Sequence, residues 1–229
     1  MFPLTHLYFT KKIELNLNPA LCIGSCLPDI LVSCGMDWKV AHEDLLPLSL
    51  PKDIQRACLY HGTNPAHPGL DYYCDKDYKN YGCGFAFYHA CNFTNALALL
   101  AIPTEDLLWR GHNIIEMACE IIIAAKNPEL LAEFQLAKKD NNLKSSIYQA
   151  LAPKLYVSEK HFFLVVDKFM DMQGTSKDLL YGFIKKLNKS YQSSYLITDF
   201  SPILAQAVEL MQALCLPFID ECLELVEKN

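Results

Sequence analysis

The chain has 229 residues, 52% of them hydrophobic, and a formal net charge of −6. That length and apolar content suit one sizeable folded domain with a real core. An acidic chain without basic clusters is a poor ligand for nucleic acid, which is held by Lys and Arg at phosphates, so no nucleic-acid partner is expected.

No apolar run reaches the roughly 20 residues of a membrane-spanning helix, so no transmembrane segment is expected. The start, Met1-Phe2-Pro3-Leu4-Thr5-His6, lacks a basic stretch followed by an apolar core, and no signal peptide is expected either. Ten cysteines are scattered through apolar surroundings with no pair of CxxC knuckles. They read as reduced, mostly buried thiols of a cytoplasmic protein, with a structural zinc site as the other reading.

In chain order, His6 opens among Leu4, Leu7 and Phe9, and Asn16 to Pro19 reads as a turn into a helix. Residues 20–34 are apolar except for Asp29. A carboxylate in such a stretch is costly unless paired or bound to metal, although Asp29 can also cap a helix beginning after Pro28. Residues 36–50, with Trp38, His42 and Glu43, read as a short helix or loop. A helix then starts at Pro51-Lys52-Asp53 and ends near His61. The Gly-, Pro-, Asn- and Asp-rich stretch from His61 to Asp77 reads as a loop carrying His67 and Asp71. From about Phe85 to Ala101 a second buried helix is expected, with His89 its one strongly polar group.

The next run, Thr104 to Lys126, predicts a long helix capped by Thr104, with Glu105 and Asp106 in its first turn and Asn127-Pro128 at its end. Residues four apart share a helix face, so His112, Glu116 and Glu120 form one stripe. An imidazole and a carboxylate at that spacing can share a divalent metal ion; the alternative is a solvated face. Helical periodicity continues over 128–141, 143–151 and 157–172, where Asp167 and Asp171 alternate with Lys160 and Lys168 as an exposed face. Gly174 should end that element, Ser176 should cap the next, and Ser201-Pro202 should begin the last, which Pro217 kinks or breaks. No strand pattern stands out. The fold class is all-α, roughly eight to ten helices in a single domain, with residues 1–126 as the half bearing the site and 127–229 as a helical buttress. Six of the seven histidines fall in the first half.

The ordered set Thr5-His6, Gly24-Ser25-Cys26-Leu27-Pro28-Asp29, His42, His89 and His112-x-x-x-Glu116 resembles the zinc-dependent phospholipase C family. That resemblance implies an all-helical metal-dependent hydrolase acting on a small phosphoester or a phospholipid. It implies that Asp29, His42 and His89 bind one metal, His112 and Glu116 a second, and His6 a third, zinc foremost and manganese or iron as alternatives. Asp29 and Glu116 would be its catalytic carboxylates, with Glu120 behind them. The family's pattern places an aspartate at position 93 and a histidine near 99, where this chain has Phe93 and Leu99. His61, His67 and Asp71 are the groups near enough in the chain to substitute. A second resemblance, carried by His6-Leu7, Pro51-Lys52-Asp53-Ile54 to His61 and Phe87-Tyr88-His89, is to the acyl carrier protein phosphodiesterases, which implies the same reaction class. A non-catalytic helical scaffold, or a lipid- or acyl-binding protein with a degenerate metal site, is the competing reading.

Overall fold

The computed structural model describes residues 2–44, 49–171 and 175–227. They form α-helices joined by short turns, with no strand among the described residues. In order these are α1 (Pro3–Glu14), α2 (Pro19–Ser33), α3 (Trp38–His42), α4 (Lys52–His61), α5 (Leu70–Asp75), α6 (Phe85–Ala90), α7 (Thr94–Leu99) and α8 (Leu107–Lys126). The second half adds α9 (Glu129–Ala137), α10 (Asn141–Leu151), α11 (Glu159–Lys168), α12 (Ser176–Tyr191), α13 (Ile197–Met211) and α14 (Cys215–Glu227).

Several expected boundaries move. Residues 61–77 are not all loop, because α5 forms within them. The run expected as one helix over 85–101 is α6, a 3-10 turn at Cys91–Phe93, and α7. Thr104 begins a 3-10 turn rather than capping α8, which starts at Leu107 without a side-chain cap. Ser176 is the first residue of α12, and the cap is Thr175, whose hydroxyl accepts from the Asp178 N–H. Pro202 lies inside α13, which begins five residues earlier at Ile197. The last break precedes Pro217, which falls in the first turn of α14, the place a helix tolerates proline. Gly174 lies outside the described residues, as do 45–48 of the stretch read as short helix or loop.

Two helices organise the first half. α8 packs against α1, α6, α7 and α13, and α2 packs against α1, α4 and α9. Asn18 caps α2, its side chain accepting from the Leu21 N–H at 2.9 Å, and Pro19 sits at the first helical position. The α2–α4 crossing is close because Gly24 has no side chain: a Cβ there would lie 2.8 Å from the Ala57 Cβ and 3.0 Å from the Ile54 Cα. Pro28 lies within α2 and supplies no N–H to the Gly24 carbonyl. The Cys58 thiol of α4 donates there instead, at 3.5 Å.

Gly84, just before α6, is tighter still. An added Cβ would lie 2.2 Å from the Cys74 carbonyl oxygen and 2.4 Å from the Asp75 backbone nitrogen. Backbone cannot step aside as a side-chain tip can. Gly84→Ala is therefore expected to destabilise the fold by about 3 kcal/mol, the upper end of overpacking costs. Urea unfolding of the purified variant checks this.

In the second half, Lys138 and Lys144 are buried lysines that tie α9 and α10 to α11. Lys138 Nζ donates to the Asp167 and Phe169 carbonyls and pairs with Asp171; Lys144 Nζ reaches Asp167 Oδ1 at 2.6 Å. Asp167 and Asp171 are thus half-exposed partners of these lysines rather than members of a donor cluster. No single described helix is long and apolar enough to cross a membrane. All ten cysteines are free thiols; Cys91 is exposed, Cys83 is half-buried and the rest are buried.

Candidate metal centre

The helix packing gathers nitrogen and oxygen donors from six elements. α1 brings His6, α2 Asp29, α3 His42, α4 His61, α5 Asp71 and Asp75, and α8 His112 and Glu116. Three groups of donor atoms each converge closely enough to hold one ion: His6, His61 and Asp71; Asp29, His42 and His61; and Cys74, Asp75, His112 and Glu116. His61 belongs to two of them.

Asp71 stands at the middle of the first two groups. Its Oδ1 lies 3.2 Å from His6 Nε2, and its Oδ2 lies 3.2 Å from His61 Nε2 and 3.8 Å from His42 Nε2. The aspartate is 3% exposed, His6 and His61 each 1%. Burial favours the neutral acid of Asp71, yet nearby positive charge and the facing His6 and His61 rings outweigh it and hold its carboxyl well below the usual range. His6 is driven the other way: burial, then the nearby His61, lower its pKa to about 4. Its ring stacks on that of His61 with centroids 3.5 Å apart and planes 9° from parallel.

The backbone decides which nitrogen of two of these rings is free. His61 Nδ1 faces the Ser25 carbonyl at 2.6 Å, and His42 Nδ1 faces the Trp38 carbonyl at 3.0 Å. A carbonyl oxygen only accepts, so each Nδ1 carries a proton and each ring turns its Nε2 inward. Those Nε2 atoms meet carboxylate oxygens. His42 Nε2 is 3.6 Å from Asp29 Oδ1 as well as near Asp71. His6 Nε2 and His61 Nε2 are buried, and neither makes a hydrogen bond. These imidazole nitrogens and carboxylate oxygens stand about as far apart as two ligands of one ion.

Around α8 the same donors recur. His112 Nε2 lies 2.8 Å from Asp75 Oδ1 and 3.5 Å from Glu116 Oε1. Burial opposes the charged ring, but Glu116 and then Asp75 outweigh it and raise the His112 pKa. The Cys74 thiol, 3.8 Å from Glu116, is pushed well up by burial and is the least available donor of its group. Trp38 stacks on His42 and Trp109 on His112, at 4.6 and 5.0 Å between centroids, which fixes both imidazoles in orientation. A cavity of about 300 Å³ opens onto the two clusters. Asp29, His42, Asp71, Asp75, His112 and Glu116 line it, together with the half-exposed Trp38 and Trp109, the exposed Lys186 and several apolar side chains.

Of the residues singled out in the sequence, His6, Asp29, His42, His112 and Glu116 come together here. Asp29 lies within α2 and does not cap a helix. The stripe of His112, Glu116 and Glu120 is a buried face and not a solvated one. His89 is the correction: it joins none of the donor groups found among the described residues. It is half-buried, edge-on to Phe85 and Tyr88, and that apolar packing lowers its pKa. His67 is exposed on the loop before α5. Phe93 is a core side chain. Sequence reading did not find Asp75, and it left His61 and Asp71 as loop substitutes. The usable signal was the one-turn spacing of Asp71 and Asp75 among Leu70, Tyr73 and Cys74. A larger groove of about 800 Å³ runs between α10 and α11 past His161 and Asp167, with no converging donor group beside it among the described residues.

Comparison with protein-family models, with curated proteins and with solved structures finds no match to this chain.

Proposed function

We propose that this protein is a metal-dependent phosphoesterase of the zinc-dependent phospholipase C kind, hydrolysing a small phosphoester or a phospholipid headgroup. The observation that carries the reading is the pair of imidazoles, His61 and His42, whose Nδ1–H is committed to backbone carbonyls while their Nε2 atoms converge with Asp71 and Asp29. Such backbone contacts fix the tautomer that a metal ligand needs. The buried Nε2 atoms of His6 and His61, which make no hydrogen bond, fit a cation better than a packed core.

A divalent ion, zinc first and manganese or iron next, would supply Lewis acidity toward a phosphoryl oxygen and lower the pKa of a water. His6, Asp29, His42, His61 and Asp71 would hold one part of the centre; Asp75, His112 and Glu116 would hold the other. Asp29 is more accessible than Asp71, with 29% of its side chain exposed. Its contact with His42 overcomes the effect of burial and keeps its pKa low, so it is available as a carboxylate to accept a proton. Lys186 places a positive charge on the cavity wall, where an anionic substrate meets it. Trp38 and Trp109 limit water around the two imidazoles they cover.

The test is metal analysis of the purified full chain, then reconstitution with zinc or manganese and assay against p-nitrophenyl phosphate and bis-p-nitrophenyl phosphate. Bound or recoverable metal with metal-dependent release of nitrophenol is expected. A chain that takes up none of these metals, or takes them up and hydrolyses neither ester, overturns the proposal.

A further inference from the structure

Glu120 is buried to within 1% and belongs to neither donor cluster. Its carboxylate instead serves the start of a different helix. Oε1 accepts from the Leu4 N–H at 2.8 Å, and Oε2 accepts from the Thr5 N–H at 2.9 Å and the Thr5 hydroxyl at 2.8 Å. The first turn of α1 has orphan N–H groups, and its own N-cap residue, Phe2, offers no side-chain acceptor. A carboxylate from α8 therefore caps α1 from across the core, where the helix dipole also favours negative charge. The geometry is specific. Thr5 immediately precedes His6, and Glu120 lies one and two turns beyond Glu116 and His112 on the same stripe of α8.

We infer that Glu120 is a positioning residue that acts through α1, clamping Leu4 and Thr5 so that His6 stays stacked on His61 and beside Asp71. The metal arm of this inference rests on the reading of the site given above; the placement of His6 does not. The carboxylate joins the two parts of the centre mechanically, since α8 carries one part and α1 closes the other. Removing it leaves the donors in the chain but frees α1 to shift.

The experiment compares imidazole NMR spectra of the full chain, metal-free and during zinc titration, for wild type, Glu120→Ala, His6→Ala and the double variant. Without metal, Glu120→Ala is expected to move the His6 and His61 ring signals while the His112 signals stay. With zinc, Glu120→Ala is expected to weaken binding by about tenfold, as loss of an orienting group does. In the His6→Ala background the same change is expected to add nothing, because the two act as one unit. An unmoved His6 signal, or an equal weakening with and without His6, overturns the inference. Should Glu120→Ala fail to fold, Thr5→Ala removes only the hydroxyl contact and is read the same way. A wild-type chain that ignores zinc defeats the metalloenzyme reading alone, and the metal-free spectra still judge the hold of Glu120 on His6.

Discussion

Asp71→Asn should deprive the proposed centre of its zinc. The side chain keeps its size and loses the charge that sits 3.2 Å from both His6 Nε2 and His61 Nε2. An amide also presents N–H donors where lone pairs converge, so one of the two imidazole contacts becomes a hydrogen bond that competes with the ion. The expected loss of zinc affinity is at least about 100-fold, beyond what second-layer groups contribute at metal sites. Competition against a colorimetric chelator measures it. His89→Ala is the informative control, because that ring packs on Phe85 and Tyr88 away from the donors and its loss should leave metal content unchanged. If Asp71→Asn binds zinc as tightly as wild type, the convergence of donors on this aspartate has no chemical meaning.

Metal should also stabilise the fold strongly. Carboxylates of Asp71, Asp75 and Glu116 are gathered with four buried imidazoles, close enough that a cation could be held among them. A ligand that binds only the folded chain, supplied at about 1,000 times its dissociation constant, adds about 4 kcal/mol, which for a domain of this size is roughly 10 °C in melting temperature. Zinc is expected to raise the midpoint by that order in calorimetry, and a chelator to reverse it. Asp71→Asn should show almost none of the shift. A melting temperature indifferent to zinc, manganese and iron would mean that these buried charges are held by each other alone.

The sequence made parts of this centre readable and concealed others for identifiable reasons. His112 and Glu116 are legible because they stand one turn apart on a twenty-residue helix, where periodicity is unambiguous. Asp29 is legible because a lone acid in an apolar run must be explained. Asp71 and Asp75 are hidden because α5 has six residues and follows Pro68-Gly69, so turn residues dominate the local signal. His61 looks like the frayed end of a helix, and only the close α2–α4 crossing reveals that it faces Ser25. His89 misleads in the opposite way. It is polar in an apolar turn, but aromatic neighbours can house a neutral imidazole without any ligand. The all-helical class follows from periodicity; the breaks at Cys91–Phe93 and ahead of Leu107 do not, since 3-10 turns carry the same composition as the helices they interrupt.

The shortness of α5 has a consequence for how the protein comes into being. Six residues cannot hold a helix in water without neighbours. Two of the acids therefore acquire their places only once α4, α6 and α14 have closed around that segment. A nascent or partly denatured chain leaves these two acids apart from the histidines, so an ion at the proposed centre would be captured only after that segment has folded.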